Sequence, residues 1–208
     1  VKSRATKRKT QSQPVLVNLG CGPEGVGRIP AYFSSWKLLR VDIEPAVGPD
    51  IIADITDLSA IADGAANAIW TAHCLEHLFT HQVPQALSEI FRVLAPGGLA
   101  CIVVPDLQVV ANLVASDRLF SVLYESPAGP ITPHDVMFGF GAAIKAGRVS
   151  MAHRCGFTPS VLMQRLQQAG FGEIIARRRP NWELVAVARK AGGTDAADLR
   201  GLMTALEL

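Results

Sequence analysis

Apolar positions fall in two patterns along the chain. Short continuous runs occupy Val15–Leu19, residues 37–45 (KLLRVDIEP), 51–53, 67–73 (NAIWTAH) and 99–105 (LACIVVP). Runs of this length and composition predict buried strands. Residues 173–179 (EIIARRR) and 182–190 (WELVAVARK) predict two more, turned tightly on each other at Pro180-Asn181. Elsewhere apolar residues recur at three and four positions. Val83, Ala86, Leu87, Ile90, Phe91 and Leu94 predict an amphipathic helix stopped by Pro96-Gly97-Gly98. Residues 160–169 predict another, with Ser160 as N-cap and Gly170 as its stop. After a Gly-Gly linker, Leu199, Leu202, Met203 and Leu206 would share one helical face, suited to docking on this domain or on a partner.

Strands that are apolar throughout and alternate with helices indicate a parallel sheet covered on both faces. The predicted fold is therefore α/β: a Rossmann-like, doubly wound, mostly parallel sheet of seven strands whose last strand is antiparallel. The expected organisation is a basic tail over 1–13, one domain over 14–190, and a C-terminal tail over 191–208. Residues 107–158 interrupt the alternation with short helices and loops. Their position after the fifth strand puts them over the carboxyl edge of the sheet, where a substrate lid would sit.

The 208 residues are 49% hydrophobic and 18% charged, a globular composition with room for a sizeable core. No apolar run approaches the ~20 residues of a membrane span. The basic N-terminus lacks the apolar stretch of a secretory signal, so a cytoplasmic location without membrane contact is expected. The net charge of +2 hides an asymmetry. Lys2, Arg4, Lys7, Arg8 and Lys9 crowd the tail, and the remainder is slightly acidic. With no second basic patch, no nucleic-acid partner is expected. Cys21, Cys74, Cys101 and Cys155 form no C-x-x-C pair, and are read as reduced thiols.

The first strand ends in LGCGPEG, with glycines at 20, 22 and 25. At the carboxyl end of a first strand, Gly20 allows a tight turn, Gly22 close ligand approach and Gly25 close packing. Asp42 closes the second strand, and a carboxylate there can accept hydrogen bonds from both ribose hydroxyls. A dinucleotide would also need a helix opening at the glycines for its pyrophosphate. The sequence there, VGRIPAYFSSW, makes a poor helix, and the space between the second and third strands is too short for one. These features count against NAD.

Taken in order, VNLGCGPEG, VDIEP, ADITDL, AHCLEHL and EIFRVLAPGGLACIVVPD resemble the motifs of class I S-adenosylmethionine-dependent methyltransferases, closest to the small bacterial type 11 members. The resemblance covers residues 14–106 well and 156–190 more loosely. It implies that the glycine loop, Gly20, Cys21 and Gly22, wraps the methionine part of S-adenosyl-L-methionine. It further implies that Asp42, with Ile43 beside it, holds the ribose. Asp54, with Ile55, lies beside the adenine amino group, and His73 and Cys74 line the methyl end. Many members carry Asp or Glu where this chain has Asn18, which leaves the cofactor's ammonium with one fewer nearby charge.

The implied activity is methyl transfer to an O or N nucleophile of a small-molecule or saccharide-like acceptor. A cofactor-binding module without catalysis, an RNA methyltransferase using the basic tail, and an NAD-dependent oxidoreductase are the alternatives. An in-line displacement on a sulfonium needs alignment and water exclusion, and a hydroxyl acceptor also profits from a general base. His153, then His134, both in the insertion, are the candidate bases. His73, Glu76 and His77 have a spacing that suggests a metal pair. Metalloprotease helices, however, place the glutamate next to the first histidine, and here it stands next to the second. No metal is therefore expected, and Glu76-His77 is read as a pair that fixes its loop. Nothing in the sequence bears on oligomeric state.

Overall fold

The apolar runs do form strands. In a computed structural model, which describes residues 13–24, 29–193 and 199–206, seven of them join in one sheet. They are β1 (Val15–Leu19), β2 (Lys37–Asp42), β3 (Ile51–Ile52), β4 (Ala66–Ala72), β5 (Leu94–Pro105), and two later strands. A small separate hairpin, β6 (Tyr124–Ser126) and β7 (Gly129–Ile131), precedes β8 (Glu173–Arg178) and β9 (Glu183–Arg189). The spatial order is β3-β2-β1-β4-β5-β9-β8. Strands β1 to β5 run parallel, and β9 enters antiparallel between β5 and β8. Strand order reverses between β1 and β4, so a crevice opens at their carboxyl ends.

Both faces of the sheet are covered. On one, Val17, Leu19, Ile69, Ile102 and Val104 pack under α1 (Val83–Val93) and α5 (Pro159–Gln168). On the other, Leu16, Ala68, Trp70, Cys101, Val103, Val185 and Val187 pack with Phe33 and α6 (Leu199–Ala205). The C-terminal helix thus docks on its own domain. Leu199, Leu202, Met203 and Leu206 are all buried there, and each contributes about 1.5–3 kcal/mol of apolar burial.

Between β1 and β2 the described residues hold only a 3-10 turn, Ala31–Phe33, and between β2 and β3 another, Pro45–Val47. Both agree with the absence of helix signals. Other boundaries moved. The helix α1 passes straight into β5 at Leu94, so Pro96-Gly97-Gly98 belongs to the strand, which shifts register against β4 between Ala66 and Ala68. Helix α5 is capped by Thr158, not Ser160: the Thr158 hydroxyl accepts from the Val161 amide, and Pro159 takes the first helical position. The second strand closes at Asp42. The basic tail up to Ser12 and the third glycine, Gly25, lie outside the described residues.

Residues 107–158 fold as α2 (Leu107–Ala115), the β6–β7 hairpin, α3 (Pro133–Phe138) and α4 (Gly141–Lys145). Buried Asp106 caps α2 and pairs with Arg178 Nε at 2.8 Å, which ties the start of this insertion to β8. Thr132 and Asp135 form a capping box on α3. Among the described residues no helix is long and apolar enough to cross a membrane.

Candidate active site

The turn after β1 is held by its neighbours. The Gly20 and Cys21 amides both donate to Val41 O, at 2.9 and 3.1 Å. The Gly22 amide donates to Asp42 Oδ2 at 2.8 Å, and the Arg40 guanidinium donates to Gly22 O, also at 2.8 Å. Gly20 and Gly22 have φ of +66° and +60°, a region that side chains rarely enter. The two glycines differ in what surrounds them. A Cβ on Gly20 would stand 2.8 Å from Cys74 Sγ and 2.9 Å from Cys74 Cβ, whereas one on Gly22 would meet nothing within 4 Å. Gly20 therefore serves close packing against the turn after β4, a reason its spacing did not reveal. Gly22 faces open space.

Half-buried Asp42 accepts from the Gly22 amide on one oxygen and from the Glu44 amide, at 2.9 Å, on the other. Each oxygen keeps a further lone pair. Ile43 beside it is 59% exposed. Asp54, just past β3, accepts on Oδ1 from the Thr56 amide and hydroxyl, and Ile55 is buried. Asn18 is half-buried in β1. Burial raises the Cys21 thiol above its ordinary value.

The turn after β4 is compact and charged. His73 has φ +52°, and a 3-10 turn, Leu75–His77, follows it. Its Nε2 lies 2.9 Å from Glu183 Oε1 and its Nδ1 3.3 Å from Glu76 Oε1. Burial opposes the charged ring, but hydrogen bonds to Glu183 and Glu76 and their charges outweigh it and raise the His73 pKa to about 10. Burial likewise works against ionised Glu76 and Glu183, and the bonds and charge of His73 hold both below the usual carboxylate range. Sequence reasoning missed Glu183; its only signal was a carboxylate opening an apolar strand. Burial, then the Glu76 charge, pushes the Cys74 thiol up to about 12.

The end of the insertion is stitched onto this turn. Glu76 O accepts from the Arg154 and Cys155 amides at 2.8 and 3.2 Å, and the Arg154 guanidinium donates to His77 O. Beside the seam lies a cavity of about 230 Å³, lined among others by Glu76, Pro105, Leu107, Phe138, His153 and Gly156. His153 Nδ1 is 2.8 Å from Val136 O, and His77 Nδ1 is 3.2 Å from Ala152 O. A carbonyl only accepts, so both Nδ1 atoms carry hydrogen, and in a neutral ring the lone pair is then on Nε2. Burial lowers the His153 pKa, outweighing the Glu76 charge and the Val136 bond, so its ring is neutral at pH 7. His134 does not itself line the cavity, but its ring lies 5.1 Å from Phe138, which does, and 5.1 Å from Phe120.

Residues 17–102, from β1 to late β5, match the family model described as a methyltransferase domain. The chain carries a class I S-adenosylmethionine-dependent methyltransferase domain. Solved structures share this methyltransferase's fold. One is a 1,6-didemethyltoxoflavin-N1-methyltransferase from Burkholderia thailandensis with bound 1,6-didemethyltoxoflavin and S-adenosylhomocysteine, at 19% identity and TM-score 0.51 over 86% of this chain and 72% of that one. A methyltransferase from Methanosarcina mazei has 16% identity and TM-score 0.56 over 88% and 95%. One from Archaeoglobus fulgidus has 11% identity and TM-score 0.53 over 86% and 87%. Among curated proteins none matches the sequence significantly.

Proposed function

We propose that this methyltransferase moves the methyl group of S-adenosyl-L-methionine to an oxygen or nitrogen nucleophile of a small-molecule or saccharide-like acceptor seated beneath residues 107–158. The observation that carries the reading is the cavity of about 230 Å³ directly beside the turn after β4, with Glu76 and His153 in its wall. That volume suits a compact molecule. The Burkholderia structure, which holds a small heterocyclic acceptor, lends the same class its support.

On this reading the backbone from Gly20 to Gly22 lies against the methionyl end of the cofactor, with Cys21 in the loop and Asn18 toward the ammonium. Asp42 grips the ribose with the lone pairs its amide partners leave free. Exposed Ile43 offers an apolar surface to the adenine, together with Ile55, and Asp54 takes the adenine amino group. His73 and Cys74 stand at the methyl end. His73 is held between Glu76 and Glu183, and Arg179 shares Glu183 at 3.2 Å, so the charges around this turn balance. Cys74, held protonated, is a poor methyl acceptor. The nucleophile therefore comes from outside the chain. It attacks the methyl carbon in line, the carbon–sulfur bond breaks, and S-adenosylhomocysteine leaves. His153 Nε2 takes the acceptor's proton, and His134, one residue removed from the cavity behind Phe138, is the second candidate.

The test is a turnover screen of hydroxylated and amine acceptors that reads release of S-adenosylhomocysteine. Acceptor-dependent release, reduced by His153→Gln, supports the proposal. Tight cofactor binding with no release for any acceptor class would favour a binding module without catalysis.

A further inference from the structure

We propose that Glu76, His77 and His153 form a binding site for one divalent transition-metal ion of the Zn2+ class, set in the wall of the acceptor cavity. One ligand atom from each of the three lies within 4.8 Å of the others. The turn after β4 supplies two of these residues, and the far end of the insertion supplies the third. The order of His73, Glu76 and His77, with the glutamate beside the second histidine, argued against a metal within that one turn. The fold replaces His73, which faces Glu183, with His153.

Three features of the cluster suit an ion. Both histidines donate Nδ1–H to a backbone carbonyl, Ala152 O for His77 and Val136 O for His153. That bond fixes the tautomer and leaves Nε2 as the ligand atom, the usual support of a metal-bound histidine. Glu76 is 1% exposed, and neither of its carboxylate oxygens makes a well-aligned hydrogen bond. Oε1 has the charged contact with His73 at 3.3 Å, and Oε2 has no partner. His73 faces one side of this buried carboxylate, and the unpartnered Oε2 is left for a further cation. The donor set is two imidazoles and one carboxylate. Imidazole suits zinc and its neighbours, whereas magnesium and calcium prefer oxygen throughout.

Ligands about 2.0–2.2 Å from a common zinc lie roughly 3.3 Å apart, so the side chains need to draw in by about 1 Å. Three protein ligands leave a fourth position, and Glu76 and His153 both line the cavity. An open position is the mark of a catalytic ion rather than a structural one. An acceptor hydroxyl bound there loses its proton more readily. The ion then does what His153 would do as a base, since Nε2 is engaged with the metal. This chemical role rests on the methyl-transfer reading; ion binding itself does not.

The experiment uses the full chain, treated with chelator and then titrated with Zn2+ by calorimetry, with Co2+ by visible absorption, and with S-adenosylhomocysteine in parallel. One equivalent of Zn2+, a Co2+ spectrum of tetrahedral or five-coordinate type, and at least about tenfold weaker Zn2+ binding in both Glu76→Gln and His153→Gln support the site. Retained S-adenosylhomocysteine binding in His153→Gln shows that this variant is folded. Absence of stoichiometric binding, or Zn2+ affinity unchanged in both variants, overturns the site. Acceptor turnover by a protein that binds no zinc also overturns it, and leaves the methyl-transfer reading standing. Zinc held by these residues in a protein that binds no S-adenosylhomocysteine supports the site and removes that reading.

Discussion

His73 Nε2 stands 2.9 Å from Glu183 Oε1, across 110 positions of sequence, and so joins the end of β4 to the start of β9. The folded ring has a pKa of about 10, against ~6.5 for a free histidine. A raised pKa contributes stability that is fully present below about pH 6.5 and lost as pH rises through about 10. The side chain is 47% exposed, so solvent screening keeps the contribution modest. The urea midpoint should fall between pH 7 and 10, and the difference between wild type and His73→Gln should shrink over the same window. A difference independent of pH would mean that the ring is neutral in the folded protein. The acid limb has the opposite sign. Glu76 and Glu183 are depressed, so their share is present above about pH 4.3 and disappears as pH falls below it.

Asp42 combines two jobs, orienting the Gly22 amide and, on the proposed reading, holding a ribose. Hydrogen bonds to a charged group are worth about 1.5–3 kcal/mol. Asp42→Ala should therefore weaken S-adenosylhomocysteine binding by about 10- to 150-fold in calorimetry. Asp42→Asn, which keeps one acceptor oxygen, should fall between. Affinity equal to wild type in the alanine variant would take Asp42 out of the site.

The two glycines predict contrasting phenotypes. Alanine at 20 meets both a left-handed backbone and the Cys74 side chain at 2.8 Å. Alanine at 22 meets only the backbone strain, worth about 1–2 kcal/mol. Gly20→Ala should lower the unfolding free energy clearly more than Gly22→Ala. Gly22→Ala should lose cofactor affinity out of proportion to its stability, because the added methyl enters the space left for the ligand. Normal binding by Gly22→Ala would mean that nothing approaches the chain there.

These contrasts show which parts of the site a sequence can carry. Strands β1, β4 and β5 were legible because parallel strands buried on both faces read as unbroken apolar runs. The turn at Gly20 and Gly22 was legible because both residues take a positive φ that glycine favours, and Asp42 was legible as the end of β2. The pairings of Cys74 with Gly20 and of Glu183 with His73 were not, since no local rule links residues so far apart. His153 meets Glu76 only once the insertion has folded back over the sheet. Boundary errors have local causes. Pro96-Gly97-Gly98 reads as a stop, yet Gly97 at φ +78° sits where a Cβ would stand 2.7 Å from Gly192 O. Its glycine thus serves a close approach inside an irregular strand. Thr158 and Ser160 both offer a capping hydroxyl, and Pro159 decides between them.

His153 has a lowered pKa and a fixed Nδ1–H, and either role proposed for it needs the neutral ring. The acid limb of kcat/KM should therefore lie below pH 6.5, the ordinary histidine value. His153→Gln should remove that limb and lower kcat by about 100-fold or more if proton transfer limits the rate. A limb that survives the substitution unchanged would assign the titration to another group.

Helix α6 carries the last prediction. The stretch between β1 and β2 contributes only a 3-10 turn among the described residues, so the face around Leu16, Trp70 and Val103 depends on Leu199, Leu202 and Met203 for cover. Met203 is fully buried. Truncating such a side chain costs about 2–5 kcal/mol, the lost transfer energy plus the cavity. Met203→Ala should lower the unfolding free energy by that amount in urea titration. Thr204→Ala, exposed on the same helix, should stay within about 0.5 kcal/mol. The covered face is not the carboxyl edge of the strands, so S-adenosylhomocysteine affinity of folded Met203→Ala should match wild type. Equal stability of the two variants would mean that α6 does not rest on the sheet in solution.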